Sequence, residues 1–293
     1  MHSTVDGFSY GLVTPLVAYL MACLGGALGL RCTARAMLVT RSWRPGWLAL
    51  GSAAIGSGIW TMHFVAMMGF TIEHTPIRYD WLMTFASLAV AIVMVVGVGI
   101  FIVGYRGASG TALFTGGTIT GLGIASMHYL GMAGMHLDGQ LTYNTFTVGV
   151  SVVIAMVAAT AALWAAGQVR GFLWSVGAAL VMGLAVTGMH YTGMAAVEVH
   201  VSGTAEPSAG GSPAELLAPM LIGPLAFLLL AGAVVVLDPL MVMGKPAAAP
   251  VERKPGIPAH TEAARTIRHP AHHPARRTRR PLVHRRPRTP QNR

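Results

Sequence analysis

Charge is what this chain has least of. Only 10% of its 293 residues are Asp, Glu, Lys or Arg, while 54% are hydrophobic, a balance that soluble domains seldom show. Acids number ten in all, and the loops offer no acid–base pair on which to found an enzyme. Cysteine is almost missing as well. Cys23 and Cys32 stand nine apart in one apolar run, a spacing that excludes a disulfide between them. The start, Met1-His2-Ser3-Thr4-Val5-Asp6, has neither the basic region nor the cleavage site of a signal peptide, so the first apolar run is expected to stay as an anchor.

The little charge present is badly mixed. Residues 1–244 carry 7 Arg and 8 acids, whereas 245–293 carry 13 Lys and Arg against 2 acids. The net +10 is therefore a property of the tail. That tail also holds nine prolines and no apolar periodicity, so 241–293 is expected to be a disordered basic cytoplasmic segment, resting on anionic lipid. It has no aromatic platform or nucleic-acid-binding motif, and no nucleic-acid partner is expected.

What is abundant is long apolar runs. Seven are visible, at about 12–30, 47–70, 82–104, 112–134, 146–167, 172–196 and 216–237, each near the ~20 residues a helix needs to cross a bilayer. Helices are expected because lipid offers open backbone no partner. The chain thus reads as an all-α membrane protein, with a seven-span domain over 1–240. Arg31, Arg35, Arg41, Arg44, Arg106 and Arg170 fall in alternate loops, and the other loops hold most of the acids. The positive-inside rule then puts the N-terminus outside and the C-terminus inside.

Within those spans one phrase recurs. Met62-His63-Phe64, Met127-His128-Tyr129 and Met189-His190-Tyr191 lie near the outer ends of spans two, four and six, each with another Met four residues after its His: Met67, Met132 and Met194. Aligned on the histidines, Gly56, Gly121 and Gly183 stand seven before, Ile59, Ile124 and Val186 four before, and Ala66, Gly131 and Gly193 three after. This is an internal repeat whose size fits two spanning helices. Residues four apart share a helix face, so each His points with its later Met. The earlier Met, one residue before, faces ~100° away. Three His/Met faces can then converge in a pseudo-threefold cluster.

Thioether with imidazole is the ligand set of soft Cu(I). The phrases contain no carboxylate, which argues against Mg, Ca or Mn. Zinc gains little from Met, and haem, through His/His or His/Met ligation, is the alternative cofactor. The candidate metal ligands are His63, Met67, His128, Met132, His190 and Met194, with Met62, Met127, Met189, Tyr129 and Tyr191 as further candidates. Phe64, Tyr129 and Tyr191 also fit an aromatic belt at the outer interface. His74, His136 and His200 lie in the outer loops or at helix ends, where solvated positions are commonest. A bare structural role, hydrogen bonding between helices, competes with the metal reading.

The tandem phrase, complete only at Met189-His190-Tyr191-Thr192, resembles the MHYT-domain family of bacterial integral membrane sensors over about residues 8–240. The resemblance implies a seven-span sensor with a copper centre near the outer face, responding to O2, CO, NO or redox state and signalling to a cytoplasmic partner. The first copy departs at Phe64-Val65 and the second at Leu130, so a shared role for the hydroxyls is not carried over. Family members often carry a cyclic di-GMP or DNA-binding output domain after the membrane body. The residues after span seven are too few for one, and no enzyme is expected here. Two alternatives remain open: a membrane oxidoreductase or electron-transfer subunit using haem or copper, and a copper transporter or chaperone.

Overall fold

Backbone groups in an apolar chain must satisfy one another, and here they do so almost wholly in helices. The computed structural model describes residues 5–6, 10–72, 77–93, 105, 109–137, 139–168, 172–201 and 213–238. Among these are seven helices: α1 Val13–Ala36, α2 Arg44–Met68, α3 Trp81–Val90, α4 Gly110–Ala133, α5 Thr145–Gly167, α6 Phe172–Met194 and α7 Pro213–Leu237. Side-chain oxygens cap three of them. Asp80 accepts from the Met83 backbone N–H, Ser109 from Ala112 and Asn144 from Thr147, each meeting a donor that a helix start leaves open.

Five of these helices, α1, α2, α5, α6 and α7, are long and apolar enough to cross a membrane, and the protein is an integral membrane protein. Helix α4 has 24 residues, roughly 36 Å at the usual rise, and no charge. Its glycines, threonines and His128 dilute its apolarity below that of the five. The described part of α3 covers only the first half of the third expected span, and 94–104 lie outside the described residues, as do the tail 241–293 and His74.

The helices form a ring in which two kinds alternate. Helix α2 packs on α1, α1 on α6, α6 on α5, α5 on α4, α4 on α3, and α3 on α2. Helices α2, α4 and α6 carry the repeated phrase, and α1, α3 and α5 fill the gaps between them. The repeated glycine seven residues before each His sets these contacts. A Cβ on Gly56 would lie 2.9 Å from the carbonyl oxygen of Ala91, the residue that follows α3, one on Gly121 2.6 Å from the Met156 nitrogen of α5, and one on Gly183 3.3 Å from the Cys23 nitrogen of α1. Each glycine admits the neighbouring backbone, as small residues do in membrane bundles. The third slot is taken by α1. Helix α7, which the repeat would place there, packs instead on α2 and α1.

Expected outer loops turn out to contain short antiparallel ribbons. Strand β1 (Val5–Asp6) pairs with β2 (Thr71–Ile72), β3 (Arg78–Tyr79) with β4 (Met135–His136), and β5 (Gly139–Tyr143) with β6 (Val197–Val201). Each joins the segment leaving a His-bearing helix to the segment entering a gap-filling one, so the threefold pattern extends past the helix ends. The longest was legible. Val197-Glu198-Val199-His200-Val201 alternates apolar and polar residues, a strand signal, and Val199 is buried while Glu198 and His200 are exposed.

The glycine contacts give a sharp contrast. Gly121→Ala should destabilise the bundle by about 1–3 kcal/mol through overpacking. Gly46→Ala, where a Cβ meets nothing within 4 Å, should be neutral or gain up to ~1 kcal/mol. Thermal unfolding in detergent, followed by loss of the monodisperse peak, would compare the two.

Candidate metal centre

Each phrase sits near the C-terminal end of its helix. His63 precedes the end of α2 by five residues, His128 that of α4 by five, and His190 that of α6 by four. Equal depth and the alternating ring bring the three together. All three are 1% exposed. Their Nδ1 atoms form a triangle: 3.0 Å from His63 to His190, 3.2 Å from His128 to His63 and 3.3 Å from His190 to His128. The rings stand edge to face, with centroids 4.9, 5.0 and 5.1 Å apart.

Three imidazoles cannot satisfy one another in this arrangement. Each Nδ1 has one in-plane site, holding either a proton or a lone pair. At most one N–H···N bond fits inside the triangle. A second proton would crowd the first, and no proton leaves three lone pairs facing each other. A cation resolves the conflict, since a triangle of this size has its centre about 1.8 Å from each corner (mean side over √3). That is within a few tenths of an ångström of the ~2.0–2.1 Å metal–nitrogen bond. Among the described residues this is the one cluster of three His, Cys, Asp or Glu able to hold a metal.

Sites for the rings are carved by the glycines three residues after the histidines. A Cβ on Gly131 would lie 2.7 Å from His63 Nε2, and one on Gly193 2.5 Å from His128 Nε2. Each imidazole thus lies against the backbone of the next phrase-bearing helix. Neither Nε2 has a hydrogen-bond partner among the described residues, so close packing rather than hydrogen bonding fixes the orientation of these two rings.

The aromatic residue after each His does not form a lipid-facing belt, and that expectation is corrected. Phe64, Tyr129 and Tyr191 pack edge-on against their own imidazoles at 4.6, 4.8 and 5.0 Å between centroids. Phe64 is fully buried, and the Tyr129 hydroxyl bonds Ser151 Oγ of α5 at 2.7 Å. The stacks continue to the ribbons, Phe64 to Tyr79 at 6.5 Å and Tyr129 to Tyr143 at 5.9 Å. Burial pushes both ribbon phenols above their ordinary range, helped at Tyr143 by neighbouring Tyr129. They bring no charge over the site near neutral pH.

Met62, Met67, Met127, Met132 and Met189 are buried in the same core, and Met194 packs half-buried against it. His136 and His200 are exposed on β4 and β6, outside the triad. Cys23 and Cys32 are buried free thiols, likewise outside it. Trp60, which the repeat did not single out, is buried and donates to Ser87 Oγ at 2.9 Å and to the Thr84 carbonyl at 3.2 Å, fastening α2 to α3 one turn below the triad.

The spacing of the repeat matches a known family model, described as a bacterial signalling protein N-terminal repeat, MHYT, at residues 56–116, 121–179 and 183–238. The chain belongs to the MHYT family. Each matched copy begins at the glycine that admits a neighbouring helix. The chain is 37% identical over 195 residues to the bifunctional diguanylate cyclase/cyclic di-GMP phosphodiesterase MucR of Pseudomonas aeruginosa, covering 65% of this chain and 28% of that protein. It is 34% identical over 237 residues to the cyclic di-GMP phosphodiesterase NbdA of the same organism, covering 74% and 28%. To the signaling protein YkoW of Bacillus subtilis it is 30% identical over 199 residues, covering 66% and 24%. The matches thus span about a quarter of these relatives. No solved structure matches the chain. The MHYT region is the sensor part of such signalling proteins, and no catalytic domain is identified in this chain.

Filling the ring sites tests how the triad is held. Gly131→Ala and Gly193→Ala each force an imidazole aside, and each should weaken metal binding by about 10–100-fold, the usual cost of losing a ligand's support. Titration with cobalt(II), read by visible absorption, would measure it.

Proposed function

We propose that this chain is a copper-dependent membrane sensor, with His63, His128 and His190 as the nitrogen ligands. The observation that carries this is the buried Nδ1 triangle of 3.0–3.3 Å. Copper rather than zinc follows from the chemistry of the surroundings. In a helix each Cβ tilts toward the N-terminus, so Met67, Met132 and Met194 lean back over the histidines one turn below. Thioethers there favour a soft ion, and among the described residues no carboxylate joins the cluster to favour a hard one. The triangle argues against haem. Axial nitrogens across a haem stand about 4 Å apart, twice a ~2 Å bond, with a macrocycle between them.

Bound copper would supply a redox-active centre able to take O2, CO or NO. The chain's own part is to couple that centre to packing. The three ligands come from three helices, and each helix is wedged through its glycine against α3, α5 or α1. Any change in the preferred spacing of the nitrogens therefore bears on the whole ring. We read the six-helix ring and α7 as seven spans, with the triad near the outer face, the N-terminus outside and the tail inside. The signal passes to a cytoplasmic partner, and the names of the relatives point to cyclic di-GMP turnover as its class.

Elemental analysis with EPR on detergent-purified protein should find about one copper per chain. The His63→Ala/His128→Ala/His190→Ala variant should hold almost none, and equal copper in both proteins would end the proposal. The topology has its own check. The native thiols are buried, so an impermeant maleimide should label cysteine placed at His136 from outside the cell. It should reach cysteine at Thr40 only after lysis; the reverse pattern would invert the topology.

A further inference from the structure

Helices α5 and α6 face each other through small residues, and the space between them is not filled. Ala158, Ala162 and Ala178 with Gly177 leave a groove of about 440 Å³, flanked by Trp164 and Trp174. Both tryptophans are half exposed on what would be the lipid side, at 49% and 45%. Behind the groove lies a second, smaller void of about 30 Å³. The two share Ala158, Ala162 and Met182 in their walls. Met182 is buried, and its terminal methyl rests in the space left by Gly26 of α1; it is the one flexible, unbranched side chain among the three that wall both.

The position of the smaller void matters most. Its wall includes Ile59, Ile124 and Val186, the residues four before His63, His128 and His190. One helical turn, ~6 Å along the axis, separates that layer from the imidazoles. The void thus reaches the layer one turn under the triad, on the side away from the methionines one turn later. No polar atom of its wall is open to it. Of the two threonines in that wall, Thr33 bonds the Gly29 carbonyl at 2.9 Å, and Thr120 keeps a buried hydroxyl with no hydrogen-bond partner among the described residues. A narrow space whose exposed lining is carbon accepts apolar guests.

We propose that the α5–α6 groove and this void form a lateral route by which small apolar gases reach the histidine triad directly from the bilayer. The inference rests on the sensor reading for its purpose, but the route itself is a property of the metal-free chain. O2, NO and CO dissolve better in hydrocarbon than in water, as apolar solutes do. A route from lipid therefore draws on the richer phase. Hydrated ions and polar reductants would be disfavoured by the same largely carbon wall, since they would shed their water for little more than the Thr120 hydroxyl. The path leads a gas past Met182 and then between the Ile59, Ile124 and Val186 side chains. The selectivity lies in this apolar wall.

Two measurements decide it. Crystals of the metal-free full-length chain under xenon pressure should show xenon in both the groove and the void. No xenon in the void of the wild-type chain would overturn the proposal, whether or not copper binds. Gly177→Leu blocks the groove mouth without strain, because a Cβ there meets nothing within 4 Å. Ala162→Phe blocks the junction, and Gly223→Leu on α7 is the control, at an equally open position. Carbon monoxide is the kinetic probe, followed by flash photolysis on the Cu(I)-loaded chain. The two blocking variants should slow association and dissociation together by about tenfold, leave Kd unchanged, and spare the control. Unchanged rates, a change confined to Kd, or equal slowing in the control would each overturn the route. If the chain takes up no copper, the sensor reading fails, and the xenon result alone decides whether the cavities form a path.

Discussion

A neutral imidazole presents one lone pair and one N–H, on opposite nitrogens. Directing three Nδ1 atoms at one point inside an apolar bundle sets lone pairs against one another unless a shared proton or a positive ion sits among them. The rest of this fold can be read as the apparatus that enforces that meeting. Glycines seven residues before the histidines let three helices pack against three spacers. Glycines three residues after two of them seat His63 and His128. Aromatic residues press on each ring from the side. None of these contacts is strong singly. Together they leave the imidazoles little freedom to turn away.

The ring also explains why the molecule need not be symmetric in sequence to be nearly symmetric in space. Helix α1 precedes the first repeat, yet it occupies the slot between α6 and α2 and closes the circle. Helix α7 is displaced to the outside of α1 and α2. There Asp238, one residue beyond its end, pairs with Arg35 of α1 at 2.8 Å, and the Arg35 guanidinium lies over Trp47 of α2. The ends of α1, α2 and α7 far from the triad are thus tied by one partly buried charge pair and a cation–π contact, interactions that gain strength where water is scarce.

Much of this was legible beforehand because apolar length, charge asymmetry and repetition are one-dimensional signals. The three histidines were found because they recur in register, and their equal depth follows from counting. The role of the following aromatics was misread as an interfacial belt, since residue type and depth do not reveal which way a ring faces. The ribbons carry a weaker signal than the long helical runs, because only Val197–Val201 alternates over enough residues to show a strand period. The methionines are legible as a face and a layer, but burial does not separate the later ones from the earlier: all are buried except Met194, which is half-buried.

By itself the sequence determined the elements and the chemistry available: apolar helices, a threefold His/Met phrase, and small residues at fixed offsets, all dictated by local composition and helical period. Only the tertiary structure decided that Nδ1 rather than Nε2 points to the axis, that α1 takes the place the repeat reserves for α7, and that a small void reaches the layer under the triad. These depend on helix rotation and on which neighbour fills which gap. Those choices are set by close packing summed over the whole ring, and no stretch of chain encodes them alone.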